Sequence, residues 1–126
     1  MTRTTPIKFD GRYVTPILER DKTATIRFGW DTSLRERDTL VMQTPDDDVF
    51  AKAEVVSVID MTITDAAAAD IPGHESYSSV DECLDKLSYF YPDADLTPNS
   101  TVTVIWWRYA CTPAEYRQYR KYGITP

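Results

Sequence analysis

The stretch Thr101–Tyr109, reading TVTVIWWRY, constrains the fold more than any other part of the chain. Eight of its nine residues are β-branched or aromatic, types that lose rotamer freedom in a helix but pack well on a pleated surface. A strand of that length needs sheet partners, and four other segments can supply them. Ile7–Phe9 is a short apolar strand ended by Asp10-Gly11. Thr23–Phe28 is rich in β-branched residues, Thr39–Met42 follows a polar loop over Gly29–Glu36, and Val49–Met61 is a long strand. Thr44-Pro45-Asp46-Asp47-Asp48 is a turn signal, so the third and fourth segments form a hairpin. Along its longer arm Ala51, Ala53, Val55, Ser57 and Ile59 share one face, with Lys52, Glu54 and Asp60 on the other. The adjacent Trp106 and Trp107 point to opposite faces of their strand.

Short helices separate these strands. Thr15-Pro16 provides a cap and a first-turn proline for a helix through Ile17 and Leu18 to Arg20. Thr64-Asp65 caps an alanine-rich helix to Asp70, stopped by Ile71-Pro72-Gly73. Ser79-Val80-Asp81-Glu82 is a capping box ahead of Val80, Cys83, Leu84 and Leu87 at helical spacing, a helix that ends near Tyr91-Pro92. Thr112-Pro113-Ala114-Glu115 opens a terminal helix that stops at Gly123. No repeat or linker divides the chain. We expect one α+β domain over 1–126, built as a small mixed barrel or half-barrel.

The charge distribution narrows the possible partners. The chain carries −6 in total, but residues 1–37 carry +3, residues 38–100 carry −12 and residues 101–126 carry +3. If the two ends meet, they make a basic face on an acidic body, suited to a small or single-stranded anion rather than to non-specific duplex binding. Fourteen Asp against six Glu, and nine Arg against five Lys, resemble the surfaces of proteins from salt-loving archaea. No apolar run approaches the roughly 20 residues of a membrane helix, and Met1–Pro6 lacks the apolar core of a secretory signal. We expect a cytoplasmic protein without a membrane partner. Cys83 and Cys111 lie in no paired-ligand spacing, and His74 is the one histidine, so two unpaired thiols and no metal or other cofactor are expected. The Asp46–Asp48 run lacks the glycine and terminal glutamate of a calcium loop and reads as a hairpin tip.

Lys22 and Thr25 are three residues apart, with Arg20 and Arg27 flanking them. In an alternating strand they would face opposite ways, so they share a pocket only if Lys22 lies in the turn before the strand. A lysine partly desolvated beside arginines has its pKa pushed down, and can then serve as a base for a hydroxyl nucleophile. A solvated lysine beside a β-branched strand satisfies the same spacing. Glu75, in the loop Gly73-His74-Glu75-Ser76-Tyr77, can project into a cleft or lie on the surface.

The run Arg20-Asp21-Lys22-Thr23-Ala24-Thr25-Ile26-Arg27 resembles the G-x-K-T-x-T-x-R signature of the ASCH domain, in the PUA-like superfamily. The supporting pattern reaches to about Trp107. It takes in Pro16–Glu19 before the signature and Arg37-Asp38-Thr39-Leu40, where Arg37 stands at the glycine of a G-D-x-L motif. Ala53–Val58, the helix end Leu87 to Pro92 and the strand Val104-Ile105-Trp106 complete it. The resemblance implies a PUA-like small β-barrel of five to six strands with a central cleft, residues 110–126 adding a C-terminal helix. It implies a nucleoside or a single-stranded or structured RNA as partner, and we expect a monomer. Within this group the chain is similar to small bacterial amidohydrolases acting on N(4)-acetylcytidine, in which a lysine activates a threonine and a glutamate assists proton transfer. Carried over, these roles fall to Lys22, Thr25 and Glu75, with Ser76 and Glu82 as neighbouring positions for the acid. Arg20, Thr23, Arg27, Trp30 and Ser76 become nucleotide or anion contacts. The alternative is a non-catalytic RNA-binding or regulatory module.

Overall fold

The structure, a computed structural model, describes residues 2–30 and 33–123. Asp31 and Thr32 of the expected Gly29–Glu36 loop, Met1, and residues 124–126 of the C-terminal segment lie outside the described residues. Five strands form one mixed sheet: β1 (Thr4–Lys8), β2 (Ala24–Arg27), β3 (Thr39–Gln43), β4 (Val49–Thr62) and β5 (Thr101–Cys111), in the order β1-β3-β4-β5-β2. β1 runs parallel to β3 and the other pairings are antiparallel. The expected hairpin is present as β3–β4, and the TVTVIWWRY strand lies between β4 and β2.

Alternation along β5 divides the core into two clusters. Ile105 and Trp107 join Ile7, Phe9, Ile17, Leu40 and Met42. Val102 and Val104 join Ala24, Ile26, Ile63, Cys83 and Leu87, beneath helices α2 (Ile63–Ala68) and α3 (Val80–Phe90). Trp106 flanks this second cluster, its indole N–H donating to the Pro72 carbonyl at 3.2 Å. Both cysteines are buried free thiols. Helix α4 (Pro113–Tyr122) carries a reciprocal capping box between Thr112 and Glu115 and ends at Gly123, φ +71°.

The sheet is open rather than a closed barrel. β1 and β2 are its two edges and share no ladder. Register shifts in β4, between Lys52 and Glu54 and between Val55 and Ser57, bend that strand. They also undo the expected simple alternation. Val55 is buried, but Ser57 is only half-buried and Ile59 is exposed. Glu54, expected on the polar face, is 4% exposed. It accepts from Arg108 Nε at 2.7 Å and the Tyr119 hydroxyl at 3.1 Å, with Arg120 at 3.6 Å. A buried carboxylate needs such partners, and α4 and β5 provide them. Two of the four cations of the C-terminal segment, Arg108 and Arg120, therefore face Glu54.

Helix starts moved as well. The chain enters α1 (Val14–Leu18) through a 3-10 turn over Gly11–Tyr13, capped by the Asp10 carboxylate accepting from Arg12 N at 3.0 Å. Thr15 is thus inside the helix, and Pro16 sits in its first turn, where a missing N–H costs nothing. Thr62, not Thr64, caps α2, because β4 runs directly into it. Ser79 caps α3, while the Glu82 carboxylate accepts from the Ser78 hydroxyl at 2.5 Å and so does not close the box on Ser79.

A candidate active site in the seam between the edge strands

Five residues of helix are too few to hold together alone. α1 is held by Ile17, which is fully buried and contributes about 1.5–3 kcal/mol by its burial. Past α1 the chain reverses at Arg20, φ +67°. The amides of Asp21 and Lys22 then both donate to the Pro16 carbonyl, at 2.9 and 3.1 Å, which satisfies the helix end and holds Lys22 in the turn. β2 begins only at Ala24. The condition set by strand alternation is met: Lys22 lies outside the strand, and it lines the same cleft as Thr25.

The opposite wall is the loop after α2. Thr23 N donates to the Gly73 carbonyl at 2.8 Å and the Thr23 carbonyl accepts from Trp107 N at 3.0 Å, so Thr23 ties the loop to the sheet. Gly73 is at φ +76°, and a Cβ there would meet Thr23 Oγ1 at 1.8 Å. This contact carries His74, Glu75 and Tyr77 to the cleft. α3 adds Lys86, Leu87 and Phe90, with Tyr91 following, and the end of β1 adds Lys8 and Phe9. The cleft encloses about 230 Å³. That is below the roughly 300–1,000 Å³ of sites for drug-sized ligands.

Arg27 spans the seam. Its Nη2 donates to the Lys8 carbonyl at 2.7 Å, its Nε donates to Thr25 Oγ1 at 3.2 Å, and its guanidinium lies 4.7 Å from the Phe9 ring centroid. Burial lowers its pKa, but it stays charged. Thr25, 5% exposed, accepts this bond and keeps its own proton free to donate. Lys22 is 8% exposed, with Nζ 4.8 Å from the Tyr13 ring centroid and no hydrogen bond or ion pair from that nitrogen among the described residues. Desolvation pushes its pKa down to about 8; the Glu75 charge resists this and Arg27 adds to it.

Glu75 pairs with Lys86 at 3.4 Å in a half-exposed bridge, and its charge acts on both Lys22 and Tyr13. His74 is pushed down to about 4, by burial first and then by Lys22, so its ring is neutral at pH 7. The ring's Nδ1 lies 2.9 Å from the Glu75 carbonyl. A carbonyl only accepts, so Nδ1 carries the proton and Nε2 is left as an acceptor.

The other expected contacts lie elsewhere. Arg20 is exposed at the turn, Thr23 is the loop tie, and Trp30 packs against the first core cluster. Ser76 donates to Asp70 at 2.7 Å, and Glu82 is bound to Ser78. Tyr13, Tyr77, Lys86, Phe90 and Tyr91 line the cleft without having been expected there. Phe90 and Tyr91 gave a signal only through their helical spacing from Leu87 at the end of α3, which is the same spacing as ordinary core, and Tyr13, Tyr77 and Lys86 gave none. No residue of α4 lines the cleft.

Among the described residues no group of three or more His, Cys, Asp or Glu could hold a metal ion, and no helix is long and apolar enough to cross a membrane. No protein-family model matches the sequence, and no curated protein matches it. Solved structures do resemble it. An ASCH domain from Lactobacillus crispatus superposes with a TM-score of 0.61 at 12% identity, covering 84% of this chain and 79% of that one. A protein of the DUF984 family from Enterococcus faecalis gives 0.64 at 10% identity, over 86% and 80%. The ASCH protein of Zymomonas mobilis gives 0.58 at 12% identity, over 96% and 81%. The chain therefore has the fold of ASCH-domain proteins, as its signature run suggested.

Proposed function

We propose that this ASCH-fold chain takes a cytidine-type base into its cleft and hydrolyses an acyl amide on the exocyclic nitrogen. The observation that carries this reading is that Lys22, Thr25 and Glu75 line one cleft of about 230 Å³, with the lysine desolvated and, among the described residues, in no ion pair. Near pH 8 a useful fraction of Lys22 is the neutral amine. It takes the Thr25 proton as Oγ1 attacks the amide carbonyl carbon, while the Arg27 guanidinium, donating to Oγ1, favours loss of that proton. Collapse of the tetrahedral intermediate breaks the C–N bond, and Lys22 returns its proton to the leaving exocyclic nitrogen. Water then attacks the acyl ester on Thr25 as Glu75 accepts one of its protons; the C–Oγ1 bond breaks and Glu75 passes that proton to Oγ1, so that the threonine leaves as the hydroxyl and Glu75 is again the carboxylate. Amide and water have become amine and carboxylic acid.

The test is cytidine release from N(4)-acetylcytidine by the purified protein. Release by the wild type, with a loss of at least about a thousandfold in Thr25→Ala and Lys22→Ala, is expected. No release by the wild type, or full release by Thr25→Ala, overturns the proposal. A second reading, a non-catalytic module that only binds the base, is favoured by the Arg27–Thr25 bond, which commits a lone pair of Oγ1 to a seam contact. It predicts binding without turnover, weakened by Arg27→Ala.

A further inference from the structure

His74 lines the cleft but takes no part in the hydrolytic steps above. Its backbone is held from both sides. Trp106 Nε1 donates to the Pro72 carbonyl at 3.2 Å, Thr23 N donates to the Gly73 carbonyl at 2.8 Å, and His74 N itself donates to the Ile71 carbonyl at 3.2 Å. The ring is held as well. Its Nδ1–H donates to the Glu75 carbonyl at 2.9 Å, and the Tyr77 ring lies beside it with centroids 5.8 Å apart. Burial and then the charge of Lys22 keep the imidazole neutral at pH 7. With Nδ1 turned to the chain's own carbonyl, the ring nitrogen left for a ligand is Nε2, a pure acceptor without a partner among the described residues.

Its surroundings make that acceptor informative. Lysines and Arg27 bring donors to the cleft, and the tyrosine hydroxyls can donate or accept. Asp10 and Glu75 only accept, but Arg12 holds the first at 3.0 Å and Lys86 the second at 3.4 Å. Among the described lining side chains, His74 Nε2 is thus the acceptor-only atom of a group that no cation holds. A neutral acceptor separates ligands that a hydroxyl does not: it pairs with an N–H and is repelled by a carbonyl oxygen. On a pyrimidine that difference lies at the 4-position, where an amino or acylamino group presents N–H and an oxo group presents lone pairs.

We propose that His74 Nε2 accepts the exocyclic N–H of the bound base and so makes the cleft select a 4-amino or 4-acylamino pyrimidine over a 4-oxo one. This rests on the base-binding reading of the cleft. The contact is compatible with hydrolysis: the amide nitrogen keeps the proton it shares with His74, and Lys22 supplies the second. Cytidine and uridine, titrated separately into the full chain at pH 7 by calorimetry, test it. The wild type should bind cytidine at least about tenfold tighter than uridine. His74→Leu should cost cytidine about tenfold and leave uridine within about twofold, which abolishes the preference. His74→Gln can turn either its oxygen or its NH₂ to the base, so it should hold cytidine within about threefold and bind uridine more tightly than the wild type does. Equal binding of the two nucleosides by the wild type overturns the proposal and leaves the cleft reading standing. A preference that survives His74→Leu overturns it too, including one in which both ligands weaken together, as lost packing alone would produce. So does a His74→Gln protein that gains nothing for uridine. If the wild type binds neither nucleoside, the cleft reading itself falls and this inference with it.

Discussion

Burying Lys22 destabilises the fold, and the pH dependence of that cost can be read from its pKa. The lysine titrates at about 8 in the folded chain against 10.5 for an ordinary lysine. Below pH 8 both folded and unfolded states carry the ammonium, and the desolvation cost, on the order of 3 kcal/mol, is fully present. Between 8 and 10.5 only the unfolded state holds the proton, so stability rises with pH; above 10.5 it is level. Lys22→Met should therefore be more stable than the wild type by about 1–3 kcal/mol at pH 7, with the gain shrinking towards pH 10. Urea denaturation at the two pH values checks this, and a Met variant less stable at pH 7 would contradict it. The same titration should appear in catalysis, since the base must be neutral: kcat/KM should rise through pH 8 and level above it.

At the scale of elements, the loop 71–77 determines whether there is a site at all. It is bound to β2 through Thr23, and the approach is so close that position 73 admits no Cβ. Gly73→Ala combines an unfavourable left-handed φ with a collision at Thr23. The expected outcome is a loss of about 2–3 kcal/mol in denaturant unfolding and loss of base binding, because His74 and Glu75 move away with the loop. Unchanged binding in a folded Gly73→Ala protein would show that the loop wall is dispensable. The five strands and the four helices were legible because each rests on local chemistry, β-branched runs and capping residues; spacing left Lys22 and Thr25 open, and only the resemblance to the signature run put them in one site. The flip of Glu54 into a buried site was not legible. It depends on β4 register shifts and on α4 folding back 65 residues later, and neither leaves a mark on the local pattern. Arg20 and Arg37 obscured their own turns, since both adopt positive φ, at 67° and 73°, where the signature pattern has glycine.

At the scale of the whole molecule, the expected barrel and the observed open sheet differ by one missing ladder. The order β1-β3-β4-β5-β2 leaves the first two strands of the chain at opposite edges, yet Arg27 on β2 reaches the carbonyl of Lys8 on β1 at 2.7 Å. A five-stranded sheet whose edges lie within one side chain's reach is strongly curled, and the bulged β4 supplies part of that curl. On the proposed reading, binding and closure share a residue: the gap between the edges is bridged by the group that also touches Thr25. A hydrogen bond from a charged group contributes about 1.5–3 kcal/mol. Arg27→Met should lose roughly that much stability. Arg27→Lys, which keeps the charge but not the two-point fork, should lose about half of it. The readout specific to closure is amide exchange in β1. The loss of protection should concentrate at Thr4–Lys8 and spare β4 and β5, whose ladders do not depend on the seam. Uniform loss across the sheet would mean that Arg27 acts through general stability, and an unaltered β1 would mean that the edges hold their places without it.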